Sequence, residues 1–559
     1  MRSASHQPLA ARAIDLHQAG KLDAAIAAYR AILKRHPETC TCWSNLGMAL
    51  RTVGRKDEGL AVLRRGARVC PQSPELHYNL GNALNDVGDH EGALKHYRAA
   101  WTLDPDNSEA ARACGALLMR LGHAGQAVEH YAAALGRHPD DGRLCAGQGL
   151  ALWKLRRPAA RVALRRAVAL DPASGDLRRH LHGVLRWLGN DEEDERQLRA
   201  GLARKADSPS LLAALGHSLI GQGRLDEGLA CCRAALKVDP DHQDARLARG
   251  RANFLAGRYA VAWPDRYRLV KGLDRRPKGT AGREWKGQDL AGQSILLYGE
   301  QGLGDVIQFA RYAPLVAEGG AEVVVACKPR LVGLLQRIRG IDRVVPDDQP
   351  PPLTDWHCSL LDVPAIWEQD VDSIPGACPY LPPRVRQTPV LPHACGFRAG
   401  IVWAGNPEQK QNRRRSCRLE DFAPLLDLPG AAFVSFQVGP PTRELSQGWR
   451  GLVLDPGDAL TTLEATADAL MEVDLVITVD TMLAHLAGAL GQPVWTLLAF
   501  APDMRWMLDR ADTPWYPTMR LFRQPNPNDW AGVFREVRRE LEALLAQPSA
   551  QRESMMAGP

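Results

Sequence analysis

The sequence predicts two architectures in one chain, an α-helical solenoid in the first half and an α/β region of two doubly wound domains in the second. A dipeptide that ends in proline, here called the heading of each repeat, recurs every 34 residues in the first half, at Pro37, Pro71, Pro105 and Pro139. This period is typical of helix-turn-helix repeats. In the second half, short β-branched or apolar runs alternate with amphipathic stretches, which indicates parallel strands in βαβ units.

The composition excludes several classes of protein. With 45% hydrophobic and 24% charged residues over 559 positions, the chain has the make-up of a folded globular protein. A net charge of +6 without a long Lys and Arg block argues against nucleic acid as a partner. The sequence contains neither a signal peptide nor an apolar run of about 18 residues, so membrane insertion is not expected. The twelve cysteines lack zinc-site spacing, which favours no structural metal and a reducing, cytoplasmic location.

The repeats are predicted to fill residues 1–270. Headings continue to Pro240 and frame seven or eight units, in which one glycine series, such as Gly47, is predicted to let two helices approach closely. A second series, such as Gly54, is predicted to supply a left-handed turn, and Arg156 replaces that glycine in the fifth unit. This pattern resembles the tetratricopeptide repeat family, whose solenoids bind peptides.

Two asparagines are candidate peptide ligands in the repeats. Asn45 and Asn79 lie eight residues after their headings, where their amides would hydrogen-bond the backbone of a peptide on the concave face. The alternative, that both are solvated helix residues, stays open because the next repeat has Ala113 at this position.

The remaining boundaries follow changes in composition. Residues 271–292 are basic with Gly and Pro, as in a linker. Residues 293–392 and 393–545 each read as one doubly wound half, and residues 546–559 read as a disordered tail. In such sheets, ligands bind at the carboxyl ends of strands. The loops that follow four predicted strands are therefore the candidate site.

The first loop belongs to EQGLGDVIQFARY. Gly302 and Gly304 are predicted to take positive φ and bring backbone N–H groups toward a ligand, and Asp305 lies at a helix start. The alternative is that Asp305 only caps the helix.

The second and third loops offer polar and cationic groups. After GIVWAG, the loop carries Lys410 and the three arginines 413–415, which suit either phosphate or solvent. Gln437 follows another strand, where its amide would meet the base or sugar of a ligand.

The fourth loop is contained in DLVITVDTMLAHLAGAL. A buried strand leads to Asp480 and Thr481, which begin a helix that carries His485 in its first turn. A helix start at the edge of a sheet is a favourable site for a diphosphate. The alternative is that Thr481 only caps and His485 packs against the sheet.

Together, EQGLGDVIQFARY, the WAGNP loop, VDTMLAHLAGALGQPVW and PWYPTMRLFRQ resemble the heptosyltransferase-like GT-B glycosyltransferases, which have two Rossmann-like domains. The resemblance implies that Asp305 is the general base and that Arg415, or a neighbouring arginine, binds the donor phosphates. It also implies that Asp480, Thr481 and His485 hold the nucleotide-sugar, and that no metal or other cofactor is needed. Some relatives with this layout glycosylate flagellin in the cytoplasm, so flagellin is one acceptor that the resemblance implies.

The sequence therefore leads to the hypothesis of an inverting glycosyltransferase that modifies Ser or Thr hydroxyls of a protein bound by the repeats. Two alternatives remain. One is a non-catalytic adaptor whose second half reads nucleotides, and the other is a sugar-nucleotide epimerase or phosphorylase that shares the cleft. The sequence leaves the nucleotide and the sugar of the donor open.

Overall fold

The computed structural model describes residues 7–270, 276–384, 388–391, 396–407, 409, 412–446, 448–449, 451–548, 551–552 and 556. The chain forms two compact units, Met1–Arg204 and Lys205–Pro559. Among the described residues, none of the helices combines the length and the apolar character that crossing a bilayer requires.

The first unit consists of helices that pack in antiparallel pairs around small and branched apolar residues. Its helices are α1 (Gln7–Gln18), α2 (Leu22–Arg35), α3 (Cys40–Thr52), α4 (Lys56–Val69), α5 (Pro74–Asp86), α6 (His90–Leu103), α7 (Ser108–Arg120), α8 (Ala124–Arg137), α9 (Gly142–Lys154), α10 (Ala160–Leu170), α11 (Gly175–Leu188) and α12 (Asp191–Leu202). Four further repeat helices open the second unit: α13 (Pro209–Gly221), α14 (Leu225–Val238), α15 (Gln243–Leu255) and α16 (Tyr259–Val270). The predicted seven or eight repeats are confirmed as eight helix pairs.

Both predicted glycine roles in the repeats are confirmed. A Cβ placed on Gly81 would come within 2.7 Å of the Tyr97 ring, so glycine lets the two helices of that pair approach. At the turn position of the fifth unit, Arg156 itself takes a left-handed φ of 54°. The backbone geometry of the repeat is thus kept even where the sequence loses its glycine.

The cysteines differ from the prediction at one point. Cys40 begins α3 and Cys70 follows α4, so the helix hairpin brings them together, and they form a disulfide with their Cα atoms 5.8 Å apart. The other cysteines among the described residues are free. A disulfide is typical of proteins that meet an oxidising environment, so this pair counts against the predicted reducing compartment.

The second unit continues with a five-stranded parallel sheet in the order β1-β5-β2-β3-β4. Its strands are β1 (Arg283–Glu284), β2 (Ser294–Tyr298), β3 (Glu322–Cys327), β4 (Arg343–Pro346) and β5 (Trp356–Ser359), and its helices are α17 (Leu303–Phe309), α18 (Tyr312–Glu318), α19 (Val332–Leu335) and α20 (Val363–Ile366). Strand β1 lies within the segment 271–292 and pairs with β5, so the sheet begins inside the predicted linker.

The last part of the unit is a six-stranded parallel sheet in the order β11-β10-β9-β6-β7-β8. Its strands are β6 (Phe397–Val402), β7 (Ala431–Ser435), β8 (Val453–Leu454), β9 (Leu475–Val479), β10 (Val494–Leu498) and β11 (Met519–Arg523), and its helices are α21 (Asn412–Arg415), α22 (Ala423–Leu426), α23 (Leu463–Leu470), α24 (Met482–Ala489) and α25 (Trp530–Leu545). The predicted solenoid followed by doubly wound α/β domains is therefore confirmed.

One apolar core joins the two sheets to the last repeat. Phe254, Tyr259 and Trp263 of the repeat helices belong to the same buried cluster as residues of both sheets. Helix α17 of the first sheet also packs directly on α24 of the second. This contact fixes the carboxyl ends of the two sheets against each other.

Candidate active site

Both sheets reverse their strand order at a point that the sequence analysis associated with ligand binding. In the first sheet β2 lies between β3 and β5, and in the second β6 lies between β7 and β9. Crevices form at the carboxyl ends of strands where the order reverses. The predicted loops follow β2, β6, β7 and β9, so the topology brings the first, second and fourth to these crevices.

Asp305 lies in the first turn of α17, and each of its carboxylate oxygens has a partner. Oδ2 accepts the N–H of Gly302 at 3.0 Å, which closes the helix start. Oδ1 accepts from Nη2 of Arg505 at 2.6 Å, and the side chain of Asp305 is 17% exposed. The residue is thus both a helix cap and one member of an ion pair across the two sheets.

The predicted role of the two glycines in this turn is wrong in its geometry. Gly302 has φ of −81°, and the left-handed residue of the turn is Gln301, with φ of 70°. A Cβ on Gly304 would lie 2.7 Å from Cδ2 of His485 and 3.3 Å from Cα of Met482. Gly304 therefore allows α17 to approach α24, rather than bringing backbone N–H groups toward a ligand.

Replacing Gly304 with Ala is expected to destabilise the second unit by about 1–3 kcal/mol, because the added methyl group meets a buried ring and the backbone of α24. Urea unfolding measures the effect. Gly221→Ala is the matched control, since a Cβ at that helical position has nothing within 4 Å. Equal stability of the two variants would contradict the close packing of α17 on α24.

Arg505 is the centre of the site, and it lies in none of the four predicted loops. It lies in a 3₁₀ helix after β10, where Nε donates to Oδ1 of Asp503 at 2.8 Å and Nη1 donates to Oε1 of Gln308 at 2.7 Å. A signal was present, because APDMRW follows a buried strand just as the four analysed loops do. Polar residues that follow parallel strands are candidate site residues, and the same rule applied to β10 predicts Arg505.

The pKa values of two carboxyl groups near Arg505, those of Asp503 and Asp480, are shifted in opposite directions. Burial works against the charge of Asp503, but Arg505 outweighs it and lowers the pKa of Asp503 to about 2. Burial raises the pKa of Asp480, with a further contribution from the negative charge of Asp503. The site thus combines a firmly ionised acid with one that is easier to protonate.

His485 is enclosed and held on both ring nitrogens. Its Nδ1 lies 3.1 Å from the hydroxyl of Tyr516, its Nε2 lies 3.1 Å from Nη1 of Arg505, and its ring stacks on Trp506. Since Arg505 donates, Nε2 accepts and the Nδ1–H faces Tyr516. Both ring nitrogens thus have partners within the protein, and donation from His485 to a diphosphate remains a prediction.

Burial lowers the pKa of His485 well below its usual value, and the adjacent Arg505 lowers it further. The ring is therefore expected to remain neutral through the range around pH 6.5 in which an ordinary imidazole titrates. Long-range ¹H–¹⁵N spectra of ¹⁵N-histidine protein measure this, and His485→Gln assigns the signal. Because the unfolded chain takes up this proton while the folded chain does not, His485 makes folding less favourable as the pH falls below about 6.5. A His485 signal that titrates near 6.5 would contradict its enclosure.

The start of α24 follows β9, and the arginine loop follows β6, its neighbour in the second sheet. The Thr481 hydroxyl caps α24 by accepting the N–H of Leu483 at 3.3 Å, and buried Asp480 precedes it. Arg415 ends α21, lies against Gly405, and has an enclosed Nε without a hydrogen-bond partner among the described residues. Its charge acts on both Asp480 and His485. Phosphate binding by Arg415 and this helix start remains a prediction.

Two other predicted donor ligands fall elsewhere. The amide of Gln437 accepts the N–H groups of Trp403 and Ala404 and donates to the carbonyls of Ala404 and Val438, at 2.8–3.2 Å. An amide with four such bonds has none left for a base or sugar, so the structure contradicts the predicted contact and makes Gln437 a clamp of the loop after β6. Lys410 lies outside the described residues.

A cavity of about 150 Å³ opens beside Asp305 and Arg505. Gln301 and Leu361 from the first sheet form part of its wall, while Phe254, Trp263 and Arg266 of the last repeat form another part. The repeats thus contribute side chains next to the proposed base.

In the first unit, the two predicted peptide ligands have partners within the fold. Asn79 is buried and its Nδ2 donates to Oγ of Ser44 at 2.7 Å, which ties adjacent repeats together. Asn45 is half-buried, and its interaction with Tyr29 acts to lower the pKa of that phenol, against the larger opposite effect of burial. The structure thus disagrees with the alternative of solvated side chains, and peptide binding at these residues remains a prediction.

Comparison with protein families gives matches in both halves of the chain. Residues 10–74, 44–108, 84–147 and 213–277 match tetratricopeptide repeat families. Residues 459–528 match glycosyltransferase family 9 (heptosyltransferase). The second match contains Asp480, Thr481 and His485 as well as Asp503 and Arg505.

Individual proteins are similar to parts of the chain. Protein FlbA of Caulobacter vibrioides is 26% identical over 358 residues, which cover 58% of this chain and 60% of FlbA. The crystal structure of YrrB, described as a tetratricopeptide-repeat protein with an unusual peptide-binding site, is 23% identical with a TM-score of 0.30 and covers 34% of this chain and 97% of that chain. A tetratricopeptide repeat protein from Parabacteroides merdae is 15% identical with a TM-score of 0.33, covering 44% of this chain and 97% of that one. The chain thus joins segments that match tetratricopeptide repeat families to a segment, residues 459–528, that matches glycosyltransferase family 9 (heptosyltransferase).

Proposed function

We propose that the protein transfers a sugar from a nucleotide-sugar to a Ser or Thr hydroxyl of a protein acceptor bound by the repeats, with inversion and without a metal. The observation that carries the proposal is the ion pair of Asp305 and Arg505, which joins the carboxyl ends of the two sheets. An acid on one wall of a cleft and a cation on the other suit a hydroxyl nucleophile and a phosphate leaving group.

Asp305 acts as the general base in this reaction. Oδ1 takes the proton of the acceptor hydroxyl as its oxygen attacks the anomeric carbon, and the bond from that carbon to the donor phosphate breaks. Oδ2 stays bonded to Gly302, which holds the carboxylate in one orientation. The proton then passes to water, and the free carboxylate is restored.

Arg505 couples the donor to the base. Its Nη2 covers Oδ1 of Asp305, so the base is blocked until that nitrogen moves. A phosphate that enters from the side of Thr481 and Arg415 attracts the guanidinium, while the bond from Nε to Asp503 keeps it anchored. Donor binding therefore uncovers the base and provides a cation for the leaving group.

The test is to incubate the protein with candidate nucleotide-sugars and a copurifying partner and to weigh the intact partner. Flagellin is the first acceptor to try, because the family resemblance implies it. A mass gain equal to one sugar residue supports transfer. Free sugar released without an acceptor would instead favour an epimerase or phosphorylase.

One observation favours a second candidate function, that of a non-catalytic adaptor. Both oxygens of Asp305 already have protein partners, which is what a purely structural residue would show. An adaptor binds nucleotide without modifying any partner. Nucleotide binding by calorimetry, combined with no mass gain on the partner for any donor, would support the adaptor and reject transfer.

A further inference from the structure

A groove leads away from Asp305 along the last repeats of the second unit. Next to the cavity described above is a second one of about 220 Å³, with His217, Leu247 and Arg251 in its wall. The two cavities share lining residues, namely Phe254, Arg266, Asp503 and Met504. The two cavities are therefore adjacent, and together they are called the repeat groove, which extends from Asp305 to helices α13 and α15.

Arg251 lines this groove, and its guanidinium has only long hydrogen bonds among the described residues. Nη2 donates to the carbonyl of Pro502 at 3.3 Å and Nη1 lies 3.5 Å from Nε2 of His217, both long contacts. In the described part of the chain it makes no ion pair. Burial lowers the pKa of Arg251, and the charge of Asp503, which is itself hydrogen-bonded to Arg505, opposes this shift without reversing it.

Arg266 has a similar position deeper in the groove. Its Nε is enclosed without a hydrogen-bond partner, and no described carboxylate lies within ion-pair distance of its guanidinium. Asp305, Asp362 and Glu300 act on it only from a longer range, and burial lowers its pKa. Asp503, which lines both cavities, is already bonded to Arg505.

Two other arginines of α15, the helix that carries Arg251, each form an ion pair with a carboxylate. Arg249 is bonded to Asp265 at 2.6 Å, and Arg246 is bonded to Asp241 at 2.8 Å. Both are neighbours of Arg251 on α15, and each has its own carboxylate. A partly buried cation without a carboxylate in direct contact is stabilised when a ligand provides one.

We propose that the repeat groove binds an acidic side chain of the acceptor segment, close in sequence to the hydroxyl that receives the sugar. The inference rests on the proposed function and identifies its acceptor class. Arg251 and Arg266 provide the complementary charge, while Phe254, Met504 and the 52% exposed Leu247 provide apolar contact for the peptide chain. The groove ends at Asp305, so a segment held here presents its hydroxyl to the base.

Two fluorescein-labelled peptides that differ only in Asp or Asn beside a central Ser test this by anisotropy, with the full-length protein and no donor. The wild type is expected to bind the Asp peptide about tenfold or more tightly than the Asn peptide, on the scale of charged hydrogen bonds. Arg251→Gln and Arg266→Gln are expected to remove this preference, and Arg266→Lys to restore part of it. Arg233→Gln, an exposed arginine of α14, is the control and should keep it.

Each outcome decides the proposal. Equal affinity of the wild type for the two peptides, no binding at millimolar peptide, or an unchanged preference in both Gln variants would overturn it. Loss of nucleotide affinity in the Gln variants, with peptide preference intact, would assign the groove to the donor instead. Since no donor is present, the Asp preference survives even if the protein transfers no sugar, which separates this inference from the proposed function.

Discussion

Replacing Asp305 with Asn is expected to lower the rate of sugar transfer by about two or more orders of magnitude and to leave the nucleotide-sugar bound at least as tightly as by the wild type, because Arg505 is no longer held by the Asp305 carboxylate. The amide oxygen of Asn still accepts the N–H of Gly302, so the start of α17 is kept. The amide nitrogen, however, takes no proton from a hydroxyl. Initial rates from intact-mass measurements and calorimetry with the nucleotide-sugar measure the two quantities separately.

The control for this variant is Asp355→Asn. The Asp355 carboxylate also accepts a backbone N–H, that of Ser294 at 2.8 Å, but it precedes β5 and lies at the opposite end of the sheet. Its replacement is expected to leave transfer intact. Undiminished transfer by Asp305→Asn would reject the base and leave Asp305 with the capping role alone.

Replacing Arg505 with Met is expected to lower the free energy of unfolding by about 3–5 kcal/mol and to abolish transfer. The change leaves Asp305 and Asp503 without their cation in a site where the arginine is only 14% exposed. It also removes the favourable charge that acts on buried Asp480. Urea unfolding with an unchanged m-value would identify this as lost stability rather than a changed unfolded state.

The loss of unfolding free energy in Arg505→Met is expected to depend on pH. In the wild type, Arg505 holds the pKa of Asp503 at about 2, so the pair stabilises the fold above the unfolded pKa of about 3.9 and loses this effect as the pH falls toward 2. In Arg505→Met, Asp503 lacks this cation, so its pKa is expected to rise toward the ordinary value. The difference between the two proteins is thus expected to shrink in acid.

Arg510→Met provides the matched control for Arg505. Arg510 is also bonded to a carboxylate, that of Asp512, but the two side chains are 31% and 36% exposed. Solvent-exposed pairs contribute about 0–1 kcal/mol. Similar losses in the two variants would contradict a special role for Arg505 in the folding of the site.

The fold could be predicted wherever the local sequence pattern determines the secondary structure. The repeat period, the turn glycines and the long apolar strands β2, β3, β6, β7, β9, β10 and β11 all have local signals. Strands β1 and β8 are only two residues long, and β5 reads WHCS, so they lacked a clear pattern. They are strands because neighbours pair with them, which a local pattern does not show.

The sequence predicts which loops form the candidate site, but not which side chains in them contact each other. Sequence placed Asp305, Asp480 and His485 after the correct strands. The partner of Asp305 is 200 residues away, and no spacing rule connects it to Arg505. For Gln437 the position after a strand predicts a ligand contact that the structure does not have. Its amide is fully hydrogen-bonded to the adjacent backbone.

The last two helix pairs set limits on how this protein can be divided. Trp263 donates its indole N–H to the carbonyl of Gln369 at 2.8 Å, and Trp515 donates to the hydroxyl of Tyr259 at 3.3 Å. A fragment that starts after residue 270 would lose both bonds and uncover large aromatic rings, which favours aggregation. Truncation, or exchange of the repeats for those of another protein, should therefore cut near residue 204, so that α13 to α16 stay with the two sheets. In engineering terms, the part of the solenoid that can be replaced is six helix pairs long, not eight.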